Sequence, residues 1–332
     1  FNNPPAKAQE IISAGDVPLG TQGNLFGITG GEGTGKSNYV AAIVAGCICP
    51  AGAEVDTLGI QITANGKHKA VLLYDTEQSE VQLFKNVSNL LARAKQPDKP
   101  DELKAFCLTG MSRKERLNAI VQSMDKFYYQ YGGIQLVVID GIADLVKSAN
   151  DEAESVAVID ELYRLAGIYN TCILCVLHFV PNGLKLRGHL GSELQRKAAT
   201  ILSIEKDEEP TKSVVKALKV RDGSPLDVPL MLFAWDKEAG MHVYKGEKPR
   251  EEKEKRKERE LVNVARDIFG RQTRITYIDL CEQLQQVLDI KERTAKSYIR
   301  FMRERDIITK DTANQSCFVI GSYHLQRNAS CP

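Results

Sequence analysis

Residues 27–39 read GITGGEGTGKSNY, and their types and spacing describe a grip on phosphate. Gly30, Gly35, Lys36 and Ser37 fit the pattern G-x-x-x-x-G-K-[ST]. Glycines let the backbone approach phosphate oxygens closely, with consecutive N–H groups turned inward. A helix starting near Lys36 adds the positive end of its dipole at the same point. The Lys36 ammonium can reach the outer phosphates of a triphosphate, and the Ser37 hydroxyl can ligate Mg²⁺. Gly30, Gly31, Glu32, Gly33, Thr34, Gly35, Lys36 and Ser37 are therefore the candidate cradle, with ATP and Mg²⁺ as its expected ligands. The competing reading is a glycine-rich turn with a solvated lysine.

A cradle alone hydrolyses nothing. Hydrolysis needs an acid at a strand end for the Mg²⁺ shell and a carboxylate to polarise the attacking water. Two apolar runs end in acids, VLLYDTE at Asp75 and Glu77 and LVVID at Asp140. The second has the Walker B form, which makes Asp140 the magnesium-shell residue. Gly141 stands where many P-loop ATPases carry the catalytic glutamate, so the base must come from elsewhere. Glu77 is the candidate, although TEQSE also resembles a helix-capping region.

These side chains need a sheet to bring them together. NLFGITG reads as a strand entering the cradle, followed by an apolar helix over about residues 35–47. DTLGIQI and KAVLLYDTE read as strands around a turn, with a helix next over about 79–94. RKERLNAIVQSMDKFYYQY reads as a helix, IQLVVIDGIADL as a buried strand, residues 151–168 as a helix and TCILCVLHF as a strand. Strands apolar on both faces and alternating with helices predict a parallel sheet covered on both sides. ATILSIEKD, SVVKALKVRDG and LMLFAW then predict consecutive strands closing one sheet edge.

The mixed-charge run over 245–260 predicts a solvated linker or exposed helix. Beyond it, LVNVARDIF, TYIDLCEQLQQVL and ERTAKSYIRFMRERD read as helices, and IITKDTANQSCFVI as two strands around a turn. That is the outline of a winged helix-turn-helix over residues 261–325. Its last helix offers Arg293, Lys296 and Arg300 for duplex DNA, though such folds also serve as protein-contact modules. Tyr298, Phe301 and Met302 take core-compatible spacings.

The 332 residues suffice for an α/β domain over 1–244, the charged linker and the smaller domain. A formal charge of +1 means that any nucleic-acid surface must be local. Several of the eight cysteines lie in apolar runs, where cysteine acts as a small hydrophobe. No run is long enough to span a bilayer and no signal-like segment opens the chain. A reduced, soluble, cytoplasmic protein with no membrane partner is expected, its amino end trimmed because it begins at Phe1.

The P-loop, a next strand ending D-x-E, and a later VVID strand without a following glutamate resemble the RecA/KaiC/DnaB-type ATPase core. LFGITGGEGTGKS, VLLYDTEQS and LHFVPNGLKLRGHLGSELQRKA most resemble its RepA-like branch, the helicase-type ATPases of plasmids and other mobile elements. The resemblance covers about residues 10–245 and implies a RecA-like, doubly wound, mostly parallel sheet. It implies that Glu77 activates water and that His178 senses the γ-phosphate, against a satisfied structural histidine as the plainer reading. It implies that the loop with Lys185 and Arg187 faces single-stranded DNA in a ring channel, a mobile surface loop being the alternative. Lys219 and Arg221 match the K-x-R element that enters a neighbouring subunit's site, a role that requires a homo-oligomer, with a hexamer among the ring sizes. A solvated pair on an edge strand competes with that role. The function implied is Mg²⁺-dependent ATP hydrolysis coupled to DNA binding or translocation, as a helicase or helicase-like factor of a mobile element. A regulatory or recombination ATPase that binds DNA without unwinding it is the alternative.

Overall fold

The computed structural model describes residues 7–178, 188–249, 253–270 and 272–322. The chain divides into two compact units, Phe1–Lys248 and Pro249–Pro332.

The first unit opens with β1 (Glu10–Ala14) and β2 (Val17–Thr21), then β3 (Leu25–Gly30), α1 (Lys36–Ile48), β4 (Gln61–Ile62) and β5 (Ala70–Asp75). It continues through α2 (Glu80–Arg93), β6 (Leu103–Cys107), α3 (Arg113–Tyr131), β7 (Ile134–Asp140), α4 (Glu152–Ile168) and β8 (Cys172–His178). After α5 (Gly188–Lys197) come β9 (Thr200–Lys206), β10 (Lys212–Val220), β11 (Leu230–Asp236) and β12 (Met241–Lys248). Nine strands form one sheet in the order β12-β11-β10-β9-β3-β8-β7-β5-β6. The six strands from β9 to β6 in that order run parallel, and β10 to β12 are added antiparallel. β2, β1 and β4 make a separate three-stranded sheet, so DTLGIQI contributes only two strand residues and none to the main sheet.

Alternation along each strand divides the core in two. Phe26, Ile28, Leu73, Val138 and Val176 pack with α1 and α2 on one face, where Ile11 and Ile12 of β1 join the same cluster and β4 lies against α1. Tyr74, Val137, Ile139, Cys175 and Leu177 pack with α3, α4 and α5 on the other. α1 is therefore buried almost all round, which explains its apolar sequence. The result is a RecA-like α/β fold. The parallel strands deliver Gly30, Asp75, Asp140 and His178 to the same carboxyl edge, where open sheets of this kind bind ligands.

The second unit contains α6 (Lys253–Phe269), β13 (Ile275–Thr276), α7 (Tyr277–Leu288), α8 (Glu292–Glu304), β14 (Ile308–Lys310) and β15 (Cys317–Ile320). The mixed-charge stretch 245–260 is thus shared between the end of β12 and the start of α6. The strands form an antiparallel sheet in the order β13-β15-β14. Leu261, Ala265, Leu280, Leu284, Ile299, Met302 and Phe318 make its core, with Tyr298 and Phe301 partly buried against it. Among the described residues no helix is long and apolar enough to cross a membrane.

Candidate active site

The cradle follows from local backbone rules. Gly33 and Gly35 take φ +66° and +94°, a region that side chains rarely tolerate, and the loop closes through Thr34 Oγ1 donating to the Gly31 carbonyl at 2.9 Å. The α1 N-terminus has no side-chain cap and no acid in its first turn, unlike α2 and α4, which Ser79 and Asp151 cap. Its first N–H groups are left for an anion. Lys36 is buried and folds back to donate to the carbonyls of Gly30 at 3.0 Å and Gly31 at 2.7 Å. Burial lowers its pKa, against the pull of Asp140, Glu77 and Glu32.

Lys36, Ser37, Glu77, Asp140 and His178 line one cavity of about 310 Å³ together with Glu32, Gly33 and Gly35. Asp140 and Asp75 are register partners across β7 and β5. Thr76 locks this junction: its N–H donates to the Asp140 carbonyl at 2.8 Å. Its hydroxyl accepts from Gly141 N at 2.9 Å and donates to Gly141 O at 2.8 Å. Asp75 aims the next turn, accepting the N–H groups of Glu77 at 3.0 Å and Gln78 at 2.8 Å. The Glu77 carboxylate then meets His178 Nε2 at 3.3 Å.

Gly141 explains the missing acid. Its φ of −123° suits any residue, so its glycine is not there for backbone freedom. A Cβ at this position would lie 2.6 Å from Glu77 Oε1. The place beside Asp140 is filled by a carboxylate from the neighbouring strand.

Electrostatics favour a bound cation. Burial pushes Asp140 up to about 7, and the charges of Asp75 and Glu77 push the same way against Lys36 and His178. Burial also raises Asp75. Asp140, Glu77 and Glu32 act on the one lysine, and a divalent ion shared with phosphate oxygens fits this negative surround, with Ser37 and Asp140 as the expected protein ligands. The open cradle, the uncapped helix and this negative cluster together fit MgATP.

Lys219 and Arg221 lie elsewhere. Arg221 falls one residue beyond β10, and a register irregularity precedes Lys219. Lys219 donates to the carbonyls of Gln195 at 2.6 Å and Arg196 at 3.1 Å, and Arg221 to that of Lys197 at 3.0 Å. In this chain the pair caps the last turn of α5, where cations suit the helix dipole. Neither lines the cavity. Lys185 and Arg187 lie outside the described residues. Arg293, Lys296 and Arg300 all lie on α8, where Lys296 and Arg300 pair with Glu292 at 2.7 Å and Glu304 at 2.8 Å.

Two participants escape the sequence reading. Asp75 as a positioner was visible as an Asx-type turn, a carboxylate two and three residues before the N–H groups it accepts. His242, which also lines the cavity, had no local signal because it lies on β12, a strand the pattern did not reveal.

Fold and site together define a P-loop ATPase with a RecA-type core. Residues 1–182 match the AAA domain family, and the chain belongs to it. Among solved structures, the crystal structure of a KaiC-like protein from the hyperthermophilic archaeon Pyrococcus horikoshii is similar at 14% identity and a TM-score of 0.48, covering 73% of this chain and 100% of that one. Comparison with curated proteins finds no match.

Proposed function

We propose that ATP hydrolysis in this cavity is coupled to DNA, in a ring-forming RepA-like helicase or helicase-like factor serving replication or mobilisation of a mobile element. The contact between Glu77 and His178 carries the reading. It joins the candidate base to the last residue of β8, and the chain continues from there into residues 179–187, where Lys185 and Arg187 are expected to meet single-stranded DNA.

Glu77 accepts the proton of the attacking water, while Asp75 and Thr76 hold its turn against β7 and His178 positions its carboxylate. Lys36 and the cradle N–H groups bind the triphosphate. When bound, Mg²⁺ neutralises charge on the outer phosphates. Among the described residues Lys36 is the sole lysine or arginine lining the cavity, and charge developing on the transferred group calls for another. Lys219 and Arg221 of an adjacent copy supply it in this reading, within a homo-oligomer for which a hexamer is the working size. The order helix, strand, helix, helix, strand, strand supports a winged helix-turn-helix in the second unit, with α8 meeting duplex DNA through Arg293, Lys296 and Arg300.

A second reading is a regulatory or recombination ATPase that holds duplex DNA without unwinding it. The exposed cations of α8 favour it, since duplex binding there needs no translocation. A strand-displacement assay run beside DNA-stimulated ATPase measurements decides. Stimulation with displacement supports the helicase, stimulation alone selects the second reading, and neither removes the coupling to DNA. Mixing Arg221→Ala with Glu77→Gln subunits should restore part of the activity at mixed interfaces. No recovery in assembled mixtures would remove the arginine from its role in trans.

A further inference from the structure

The cavity extends past the residues that hydrolysis uses. Strand order puts β8, β7 and β5, which bring His178, Asp140 and Glu77, on one side of β3, and β9 to β12 on the other. A triphosphate lying in the cradle with its reacting end at Glu77 directs its remaining portion away from those strands. Gln78 after Glu77, Asn38 next after Ser37 on α1, and His242 on β12 complete the lining among the described residues.

His242 is firmly braced. Its ring meets Phe233 at 5.6 Å and 68°, and Trp235, its cross-strand partner, at 5.5 Å and 77°. Its carbonyl accepts from the buried Arg93 guanidinium at 2.5 Å, and the same group donates to the Asp56 carbonyl at 2.8 Å. Phe233 is tied to the cradle itself, because a Cβ at Gly35 would lie 2.8 Å from its ring. Packing does not account for an imidazole here. Nδ1 is buried with no hydrogen-bond partner among the described residues, a cost that a phenylalanine in the same place would not carry. That leaves Nε2 as the nitrogen for the cavity.

We propose that His242 is the nucleobase-reading residue of the site, stacking a base on the ring that Phe233 and Trp235 brace and offering Nε2 to its polar edge. The ligand class is then a nucleoside triphosphate held at both ends, rather than any chain of phosphates. This rests on the ATPase reading, and the test separates the two.

Trp235 is the only tryptophan in the sequence and is 55% exposed, so its emission reports on its neighbour His242 without a label. The full chain is titrated with MgATP and with magnesium tripolyphosphate, following binding by calorimetry and Trp235 emission in parallel. ATP should change the emission and tripolyphosphate should not. His242→Ala should weaken ATP about tenfold, the worth of one stacked base, and leave tripolyphosphate unchanged. His242→Phe should keep ATP affinity within about twofold, since stacking survives without the hydrogen bond. Equal losses for both ligands with His242→Ala, no loss for ATP with His242→Ala, or a loss with His242→Phe as large as with His242→Ala, would overturn the proposal. If neither ligand binds the wild-type chain, or if binding survives Lys36→Ala, the ATPase reading itself fails.

Discussion

The two units use charge in opposite ways. In the first, Asp140, Asp75 and Lys36 are withdrawn from water, and burial is the leading cause of each pKa shift. In the second, the cations of α8 stand in solvent: the Lys296 and Arg300 side chains are 52% and 82% exposed and pair with carboxylates one turn away. Buried charges interact strongly over short distances and resist salt, while exposed ones act weakly, additively and in a screened medium. The first arrangement suits bond-making chemistry that tolerates little misplacement. The second suits attraction to a polyanion.

The sharpest challenge to this contrast is Glu77→Gln, which should lower turnover about 10³-fold and leave ATP binding intact, read by single-turnover hydrolysis beside equilibrium binding. Unchanged turnover would remove Glu77 from its role. Gly141→Ala comes next. The added methyl must push the Glu77 carboxylate aside, and a misplacement of that size should cost about 100-fold in turnover with ATP affinity preserved. Equal loss of affinity would show that the site had collapsed instead. In the second unit, replacing Arg293, Lys296 and Arg300 with alanine should weaken duplex DNA binding. Its salt dependence should flatten by roughly one unit of log–log slope for each phosphate no longer neutralised. Basal hydrolysis should not move, and a matching fall in hydrolysis would break the division of labour.

The smallest expected effect concerns His242. Burial holds its pKa below the ordinary 6.5, with Arg93 and Lys206 pushing the same way, so the unfolded chain takes up the proton first. Its contribution to stability is whole above about pH 6.5 and falls as pH drops from there toward the folded value. His242→Phe should make the thermal midpoint of the first unit less sensitive to acid across that window. An identical slope in both proteins would mean that the imidazole is not shielded as the packing indicates.

Local signals carried much of this in the sequence. Apolar runs ending at Gly30, Asp75, Asp140 and His178 marked the four strands that meet at the site, because a strand buried on both faces has little freedom in composition. The capped helices α2 and α4 were legible for the same local reason. What escaped lacked a clean local pattern or depended on distant partners. β1, β2 and β12 are short or half-exposed strands of local hairpins without a clean apolar run, and only the pairing of β1 with β4 joins segments far along the chain. The reason for Gly141 was equally hidden, since the group that excludes a side chain there comes from residue 77. Lys219 and Arg221 were visible as a pair, but their hydrogen bonds to the end of α5 follow from tertiary packing alone.

The seating of Glu77 over Gly141 has an evolutionary consequence. In a chain where the metal-holding acid and the base are consecutive residues, one loop must satisfy both tasks and drifts under both constraints. Here the candidate metal-holding acid ends β7 and the candidate base follows β5, two paired strands whose ends Thr76 ties together. A single change at the tip of β5 can therefore silence hydrolysis and leave nucleotide retention untouched.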